Sequence, residues 1–268
     1  MPVKKSVFLH NSVFFSKDEL TESTDNTIDR AATCVRKFFE TSEVQATDID
    51  LVVYCSQAFT SDGPLRNGEN IIMDNYYNVS VNSKVLFGND LGHVQIHGFY
   101  SSISGDWLTA IRIARNFILA EGMKNVLVVV IDDPNHITPE NHSVDVAAFC
   151  ISDTPLPNSW NISLLEHYQA LDNVDADKNI NRFIDNALVK KEDLASIVCM
   201  YWLDSREGVT RNKLTSSYTT FNDLFLGPGE VLSGIKFLNP NKSNRAYEHT
   251  NIIYREYKKV NMASFTRI

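Results

Sequence analysis

The stretch Ser101–Trp107 (SSISGDW), with the segments that follow it, decides the fold of this chain. It is mostly small and polar, and it leads into an amphipathic run, Trp107–Ala120, and then into the apolar run Asn125–Ile131. This order predicts a tight turn, a helix and a fully buried strand. Because a helix begins with unpaired backbone N–H groups and the positive end of its dipole, such a turn favours a nucleophile or an anionic acyl group.

Helix-like and strand-like segments alternate on both sides of this stretch, which predicts an α/β fold. The run Thr27–Glu40 repeats apolar residues at helical spacing, and Gly122 is placed to end the helix that starts at Trp107. The segment Ile71–Val81 reads as a helix or as irregular chain. Short apolar runs predict four further strands: Val7–Phe15, Ile49–Cys55, Val94–Phe99 and Val146–Ile151.

A repeated sequence pattern predicts that the chain contains two related halves. Thr47–Cys55 places an acidic pair at the start of a buried strand that follows a helix, and Glu192–Met200 repeats this arrangement. We therefore expect a duplicated core in two parts, residues 1–155 and a shortened second half, residues 156–268, with the boundary in the Pro-containing stretch Ser152–Asn161. No long linker separates the two parts, so they should share one compact core.

Composition and charge exclude several classes of function. The chain has 268 residues and a net charge of −8, so it offers no basic stripe that could neutralise the phosphates of a nucleic acid. The apolar run Ser6–Phe15 is too short and too polar for a signal peptide or a membrane span. We expect a cytoplasmic protein that binds neither nucleic acid nor membrane.

Cysteine and histidine spacing predicts no metal site. The four cysteines form no CxxC pair, and three lie in apolar strand-like runs, so we expect buried free thiols in a reducing compartment. His93 and His97 lie four residues apart, but the segment between them reads as strand. Two positions four apart on a strand are roughly 13 Å apart, too far to share a metal ion.

The pattern around Ser101–Trp107 resembles the thiolase-fold condensing enzymes, especially β-ketoacyl-acyl-carrier-protein synthase III. The likeness spans roughly Thr27–Asp153 and, more loosely, Arg182–Ile268, and it implies a layered α-β-α-β-α core. Those enzymes carry a cysteine nucleophile in the turn before the helix. Helix phase puts Ser104 at that position, and a shift of one or two residues puts Ile103 or Ser102 there. The chain has no cysteine between its second, at 55, and its third, at 150.

The remaining family site is also altered. The family histidine follows a buried strand of the second half, but here the strand runs on into Tyr201 without a histidine. Asn222 is the counterpart of the family asparagine, without its flanking motif, and Asp145 is retained where nearby glycines are lost. The resemblance therefore implies a vestigial site at Ile103, Trp107, Tyr201, Asn222 and Asp145, with no catalytic residue of its own. Ser104 and Ser102 are the remaining candidates for a nucleophile, and a serine at this place is otherwise a helix cap.

This loss of residues resembles the cysteine-less, non-catalytic subunits of heterodimeric condensing enzymes of the alkylquinolone-synthase type. The resemblance implies pairing with a cysteine-bearing homologue, in a dimer or a larger even-numbered oligomer, for acyl transfer or decarboxylative condensation in specialised metabolism. It places the dimer interface on Val94, Ile96, His97 and Phe99. No cofactor is expected, although the complex would use a coenzyme A or carrier-protein thioester, and acyl carrier protein is a further candidate partner.

Two other functions stay open at the level of sequence. The chain could be a serine-dependent acyltransferase that acts on acyl thioesters. It could also be a catalytically silent homodimer with a structural or regulatory role.

Overall fold

The structure is a computed structural model that describes residues 6–15, 27–56, 82–100, 106–132, 145–187, 196–202, 224–226, 238, 249–256 and 259–268. It contains three α-helices in these ranges: α1 (Thr27–Thr41), α2 (Asp106–Asn116) and α3 (Asn173–Ala187). Short 3-10 segments lie at Ala46–Asp48 and Phe87–Asn89, and π-helical turns at Asn82–Leu86 and Phe117–Glu121. The strands are β1 (Phe8–Phe15), β2 (Leu51–Ser56), β3 (Gln95–Tyr100), β4 (Asn125–Asp132), β5 (Asp145–Ser152), β6 (Trp160–Gln169), β7 (Ser196–Trp202), β8 (Leu224–Leu226), β9 (His249–Glu256) and β10 (Lys259–Arg267).

The ten described strands form one mixed sheet that contains the same five-strand pattern twice. Their order is β3-β2-β4-β5-β1-β6-β10-β9-β7-β8. In the first half β2 runs parallel to β3 and β4, whereas β5 runs antiparallel to β4 and β1. The second half repeats this arrangement. Strand β7 runs parallel to β8 and β9, whereas β10 runs antiparallel to β9 and β6. The prediction of an α/β fold with two repeated halves is therefore confirmed.

The two halves join where β1 meets β6. These strands pair antiparallel for a short distance, with Phe8 opposite Asn161 and Leu9 opposite Trp160. The link between β5 and β6 covers residues 153–159, and the predicted boundary between residues 155 and 156 falls inside it. The exact division into 1–155 and 156–268 stays a prediction.

Helix α2 packs against strands of both halves, which makes it the central element of the core. It contacts β2, β4 and β5 of the first half and β6 and β10 of the second. Helix α1 instead packs on β1, β4 and β5, and α3 packs on β6, β9 and β10. One apolar cluster accordingly surrounds α2 with side chains from both halves, and a second lies between α1 and the first half of the sheet.

The central helix forms because its apolar residues recur on one face. Leu108, Ile111 and Ala114 are buried at this spacing, whereas Asn116 is exposed. A π-helical turn continues the helix to Glu121, and Gly122 then adopts a φ of +74°, the left-handed conformation that ends helices. The predicted helix Trp107–Ala120 and its predicted end are confirmed, except that the last turn is wider than an α-helix.

The acidic pair at the start of β2 has a structural role. The Asp50 carboxylate accepts hydrogen bonds from the backbone N–H groups of Lys124, at 2.7 Å, and Asn125, at 3.0 Å. Asp48 contributes its backbone carbonyl, which accepts a bond from the Asn125 side chain at 3.0 Å. These contacts fix the start of β4 beside the start of β2. The matching pair, Glu192–Asp193, lies outside the described residues.

The other predicted elements of the first half are found within one or two residues of their expected bounds. The predicted strand Val94–Phe99 begins one residue later, at Gln95, because Val94 lies in the preceding turn with its side chain buried in the core. The segment Ile71–Val81 falls outside the described ranges. Within those ranges, no helix combines the length and the apolar character that crossing a membrane requires.

Candidate functional site

The candidate site is the start of α2, because the sequence places the family nucleophile in the turn before it. The helix begins at Asp106. Ser102, Ile103 and Ser104 lie outside the described residues, so their predicted roles stay predictions. Trp107 is the first predicted site residue whose surroundings the structure gives.

Trp107 is buried where the two halves of the chain meet. Its side chain is 1% exposed, and its indole Nε1–H donates a hydrogen bond of 2.7 Å to the Tyr254 hydroxyl. Its ring stacks on Phe265 with an interplanar angle of 15° and a centroid distance of 6.3 Å. Phe149 and Tyr254 meet the same ring edge-on, at centroid distances of 6.3 and 6.1 Å. These four aromatic residues, here called the aromatic cluster, fill the space beside the first turn of α2.

The aromatic cluster is built from distant parts of the chain. Phe149 lies on β5, Tyr254 on β9 and Phe265 on β10, whereas Trp107 is on α2. Aromatic pairs with such edge-on and stacked geometries are worth about 0.5–1.5 kcal/mol each beyond the area that they bury. The cluster therefore ties the first turn of α2 to both halves of the sheet.

The strand that should carry the family histidine lies next to this cluster. Tyr201 on β7 pairs in register with Tyr254 on β9, so its backbone is one strand away from the Trp107 partner. Tyr254 thus contacts the Trp107 side chain and pairs through its strand with the backbone of Tyr201, a second predicted site residue. Asn222 lies outside the described residues.

Asp145 is the first residue of β5, opposite Asp132 at the end of β4. The parallel strands of the first half end at this edge, and α2 follows β3 in the chain. Asp145 therefore lies at the edge of the sheet where the parallel strands end. The assignment of Asp145 to the vestigial site stays a prediction.

Three of the four cysteines have thiols that are buried in the core. Cys34, Cys55 and Cys150 are buried and form no disulfide, as predicted. Burial raises the pKa of the Cys34 and Cys150 thiols far above the ordinary value, so both stay protonated and unreactive. Cys55 is 1% exposed within the same apolar cluster as Trp107.

His10 and His97 have their described contacts with residues other than Trp107. His10 is buried on β1, where its Nε2 is bonded to the Ser152 hydroxyl, and burial lowers its pKa from 6.5 to about 4. His97 lies on β3 with its ring 5.6 Å from that of Phe117. Among the residues with described positions, no group of three or more His, Cys, Asp or Glu side chains is arranged to hold a metal ion.

The predicted interface strand, β3, lies at one end of the sheet. Its backbone pairs with β2 on one side, and no described strand pairs with its other side. His97 is exposed and Ile96 and Phe99 are half-buried, whereas Val94 is buried just before the strand. Gly98 lies within this strand, and a Cβ added there would meet no atom of the described residues within 4 Å. Interface roles for Val94, Ile96, His97 and Phe99 stay predictions.

Sequence reasoning missed Phe149, Tyr254 and Phe265 as parts of the site. Phe149 lies in a strand that was predicted, but Tyr254 and Phe265 lie on strands that were not. No local pattern in β10 singles out Phe265, because the strand is buried on both faces from Val260 to Phe265 without regular alternation.

No protein-family model matches the sequence, and no curated protein matches it at a significant level. Solved structures do match. The acyltransferase ChlB3 has a TM-score of 0.67 at 11% identity over 98% of each chain. The 3-oxoacyl-acyl-carrier-protein synthase III of Aquifex aeolicus has a TM-score of 0.63 at 12% identity, over 98% of this chain and 100% of that one. AbyA1, a tetronic acid condensing enzyme, has a TM-score of 0.62 at 12% identity over 97% and 99%. The chain therefore has the thiolase-like fold that these synthase III-type condensing and acyl-transfer enzymes share.

Proposed function

We propose that this chain is a non-catalytic subunit of a synthase III-like condensing enzyme. It would pair with a cysteine-bearing homologue that performs acyl transfer or decarboxylative condensation in specialised metabolite biosynthesis, in the cytoplasm. The observation that carries the proposal is the start of α2. The sequence predicts a turn directly before this helix, the residues of that predicted turn include no cysteine, and the aromatic cluster around Trp107 fills space beside the first turn of the helix.

The chemistry of acyl transfer explains why this change would silence the site. A nucleophile at this place must be activated by a base within hydrogen-bond reach, and donors must stabilise the oxyanion that forms. A thiol at a helix N-terminus is readily activated because its pKa is lowered there. A serine hydroxyl depends more strongly on a base, and the strand that should supply the histidine carries Tyr201 instead.

The role left to such a subunit is to cover the dimer face of its partner and to shape the acyl pocket of the complex. The side of β3 that no described strand covers suits this role, because a free strand edge is a template for pairing with another strand. Gly98 supports it further, since nothing in the described chain requires a glycine there and a glycine permits close approach of a second backbone. An obligate interface of this kind should bury about 2,000 Å² or more. The acyl group would reach the complex as a coenzyme A or carrier-protein thioester, with acyl carrier protein as a transient partner.

Co-expression tests the pairing. The chain is produced together with a cysteine-bearing synthase III-like homologue encoded by the same genome. Native mass spectrometry then measures the mass of the purified complex. We expect an even-numbered complex that contains both chains in equal amounts. The proposed role would be refuted if the chain stayed monomeric and formed no complex with any such homologue.

A matched pair of variants locates the interface. Gly98→Lys adds a charge on the free edge of β3, where it has room in the isolated chain, and should abolish the complex while leaving the melting temperature unchanged. Asn116→Lys adds the same charge at the exposed end of α2 and should leave the complex intact. Equal behaviour of the two variants would show that β3 is not the interface.

A serine-dependent acyltransferase is the second candidate, because Ser102 and Ser104 shortly precede the start of α2 in the sequence. It requires a base that the described residues around Trp107 do not provide. It predicts that the isolated chain becomes acylated by an acyl thioester, whereas a non-catalytic subunit stays unmodified. A silent homodimer, the third reading, would form even-numbered complexes without any partner.

A further inference from the structure

A small cavity lies at the opposite edge of the sheet from the start of α2. It has a volume of about 190 Å³ and opens between the beginning of β1, the end of α1 and the link from β5 to β6. His10 and Asn11 of β1 form one wall, Thr41 and Glu43 form the second, and the link residues 156–158 form the third. The parallel strands begin at this edge, whereas α2 begins where β3 ends. The cavity is therefore separate from the proposed acyl site.

The charged and polar groups around the cavity favour a cation. Thr41 is the last residue of α1, so the carbonyl end of that helix, which carries the negative end of its dipole, faces this region. The last turn of α1 contains no basic residue that would offset it, and Glu43 adds a carboxylate. His10 brings no opposing charge, since burial lowers its pKa to about 4 and keeps it neutral near pH 7.

Two asparagines in unusual backbone conformations complete the lining. Asn11 has a φ of +34° and Asn158 a φ of +62°, in the left-handed region that non-glycine residues rarely adopt. The Asn11 amide donates to the Thr41 carbonyl at 3.4 Å, which holds β1 against the end of α1. Asn158 Oδ1 accepts a bond of 3.2 Å from the guanidinium of Arg267, a residue outside the lining, so Asn158 satisfies this cation and Glu43 is the charged group of the lining itself.

The size and the apolar part of the wall define the ligand further. A volume of about 190 Å³ equals roughly six water molecules at about 30 Å³ each, which suits a molecule with a similar number of non-hydrogen atoms. Leu156 and Pro157 provide hydrocarbon surface on the side of the link. A bare metal ion would leave this surface unused.

We infer that this cavity binds a small primary alkylammonium compound, with its charged end toward Glu43 and the end of α1 and its hydrocarbon end against Leu156 and Pro157. The inference does not depend on the proposed condensing function. It assigns a binding site to a part of the fold that acyl transfer does not use.

Ligand-observed saturation-transfer NMR on the full chain tests this inference, with n-butylammonium as the probe and n-butanol as its uncharged isostere. We expect saturable binding of n-butylammonium, weak or no binding of n-butanol, and a shift of the His10 imidazole resonance that follows the same binding curve. Absence of saturable binding, or equal binding of the two probes, would overturn the inference.

Two glutamate variants then localise the charge. Glu43→Gln should weaken n-butylammonium binding by about tenfold or more, because it removes a charge-assisted contact. Glu40→Gln is the matched control, since Glu40 is exposed on α1, pairs with Lys37 and does not line the cavity. It should leave the affinity within about twofold of the original. Equal effects of the two substitutions would refute the assigned site.

Discussion

Truncating Trp107 should destabilise the chain more than almost any other single substitution in α2. The side chain is 1% exposed, packs against three aromatic rings and donates a hydrogen bond to Tyr254. Removing a buried aromatic side chain of this size typically costs about 3–5 kcal/mol, because transfer energy is lost and a cavity remains. We expect Trp107→Ala to lower the free energy of unfolding by about 4 kcal/mol.

The hydrogen bond can be separated from the packing by a double-mutant cycle. Trp107→Phe removes the indole donor, and Tyr254→Phe removes the hydroxyl acceptor, so the two changes together should cost about 1 kcal/mol less than the sum of the single changes. Tyr54→Phe is the control, because Tyr54 lies in the other apolar cluster and should combine additively with Trp107→Phe.

Equilibrium unfolding in urea gives each free energy from the transition midpoint and slope. A cost below about 1 kcal/mol for Trp107→Ala would show that the aromatic cluster does not hold the two halves together. Additive behaviour of the Trp107 and Tyr254 changes would refute the hydrogen bond between them.

Three further predictions concern residues away from the aromatic cluster. Because the pKa of His10 is lowered to about 4 in the folded chain from an ordinary 6.5, the unfolded chain binds the proton more tightly, and stability should fall by about 3 kcal/mol as the pH drops from 6.5 to 4. Urea unfolding across this range should show the loss, and His10→Gln should flatten it; an unchanged slope would contradict the buried neutral imidazole. Asp50→Ala should cost about 1.5–3 kcal/mol by thermal or urea unfolding, since two backbone N–H groups at the start of β4 lose a charged acceptor, whereas no loss would show that water replaces it. Gly122→Ala should cost about 1–2 kcal/mol because of its φ of +74°, while Gly98→Ala, with an ordinary φ and open space, should be near neutral; equal costs would contradict the assigned backbone conformations.

The first half of the fold could be predicted from the sequence because its signals are local. The helix α1 shows its apolar stripe within fifteen residues, and β4 is an unbroken apolar run whose six central residues are all buried. The left-handed conformation at Gly122 follows from a glycine at the end of a periodic segment.

Much of the second half could not be predicted for the opposite reason. Strand β6 is half-buried without regular alternation, and its partner β10 lies about a hundred residues further along the chain. Nearly half of the residues of helix α3 are Asp or Asn, so its apolar positions stand out only once the sheet beneath it is known. Such elements are stabilised by distant packing, which single-sequence patterns do not record.

The candidate site could likewise be predicted from the sequence only in part. Trp107 could be named from the sequence because it stands at the start of a helix after a small-residue turn. Its hydrogen-bond partner is 147 residues away, on a strand with no distinctive motif, so the aromatic cluster emerges only from the three-dimensional arrangement. The missing cysteine, by contrast, is a fact of the sequence alone.

Intact-protein mass spectrometry after incubation with an acyl-coenzyme A tests the central claim most directly. The account predicts that this chain keeps its unmodified mass, both alone and in complex, and that the acyl group appears only on the cysteine-bearing partner. An acyl adduct on this chain that maps to Ser102 or Ser104, and that disappears in the matching Ser→Ala variant, would contradict the claim that the chain is a non-catalytic subunit.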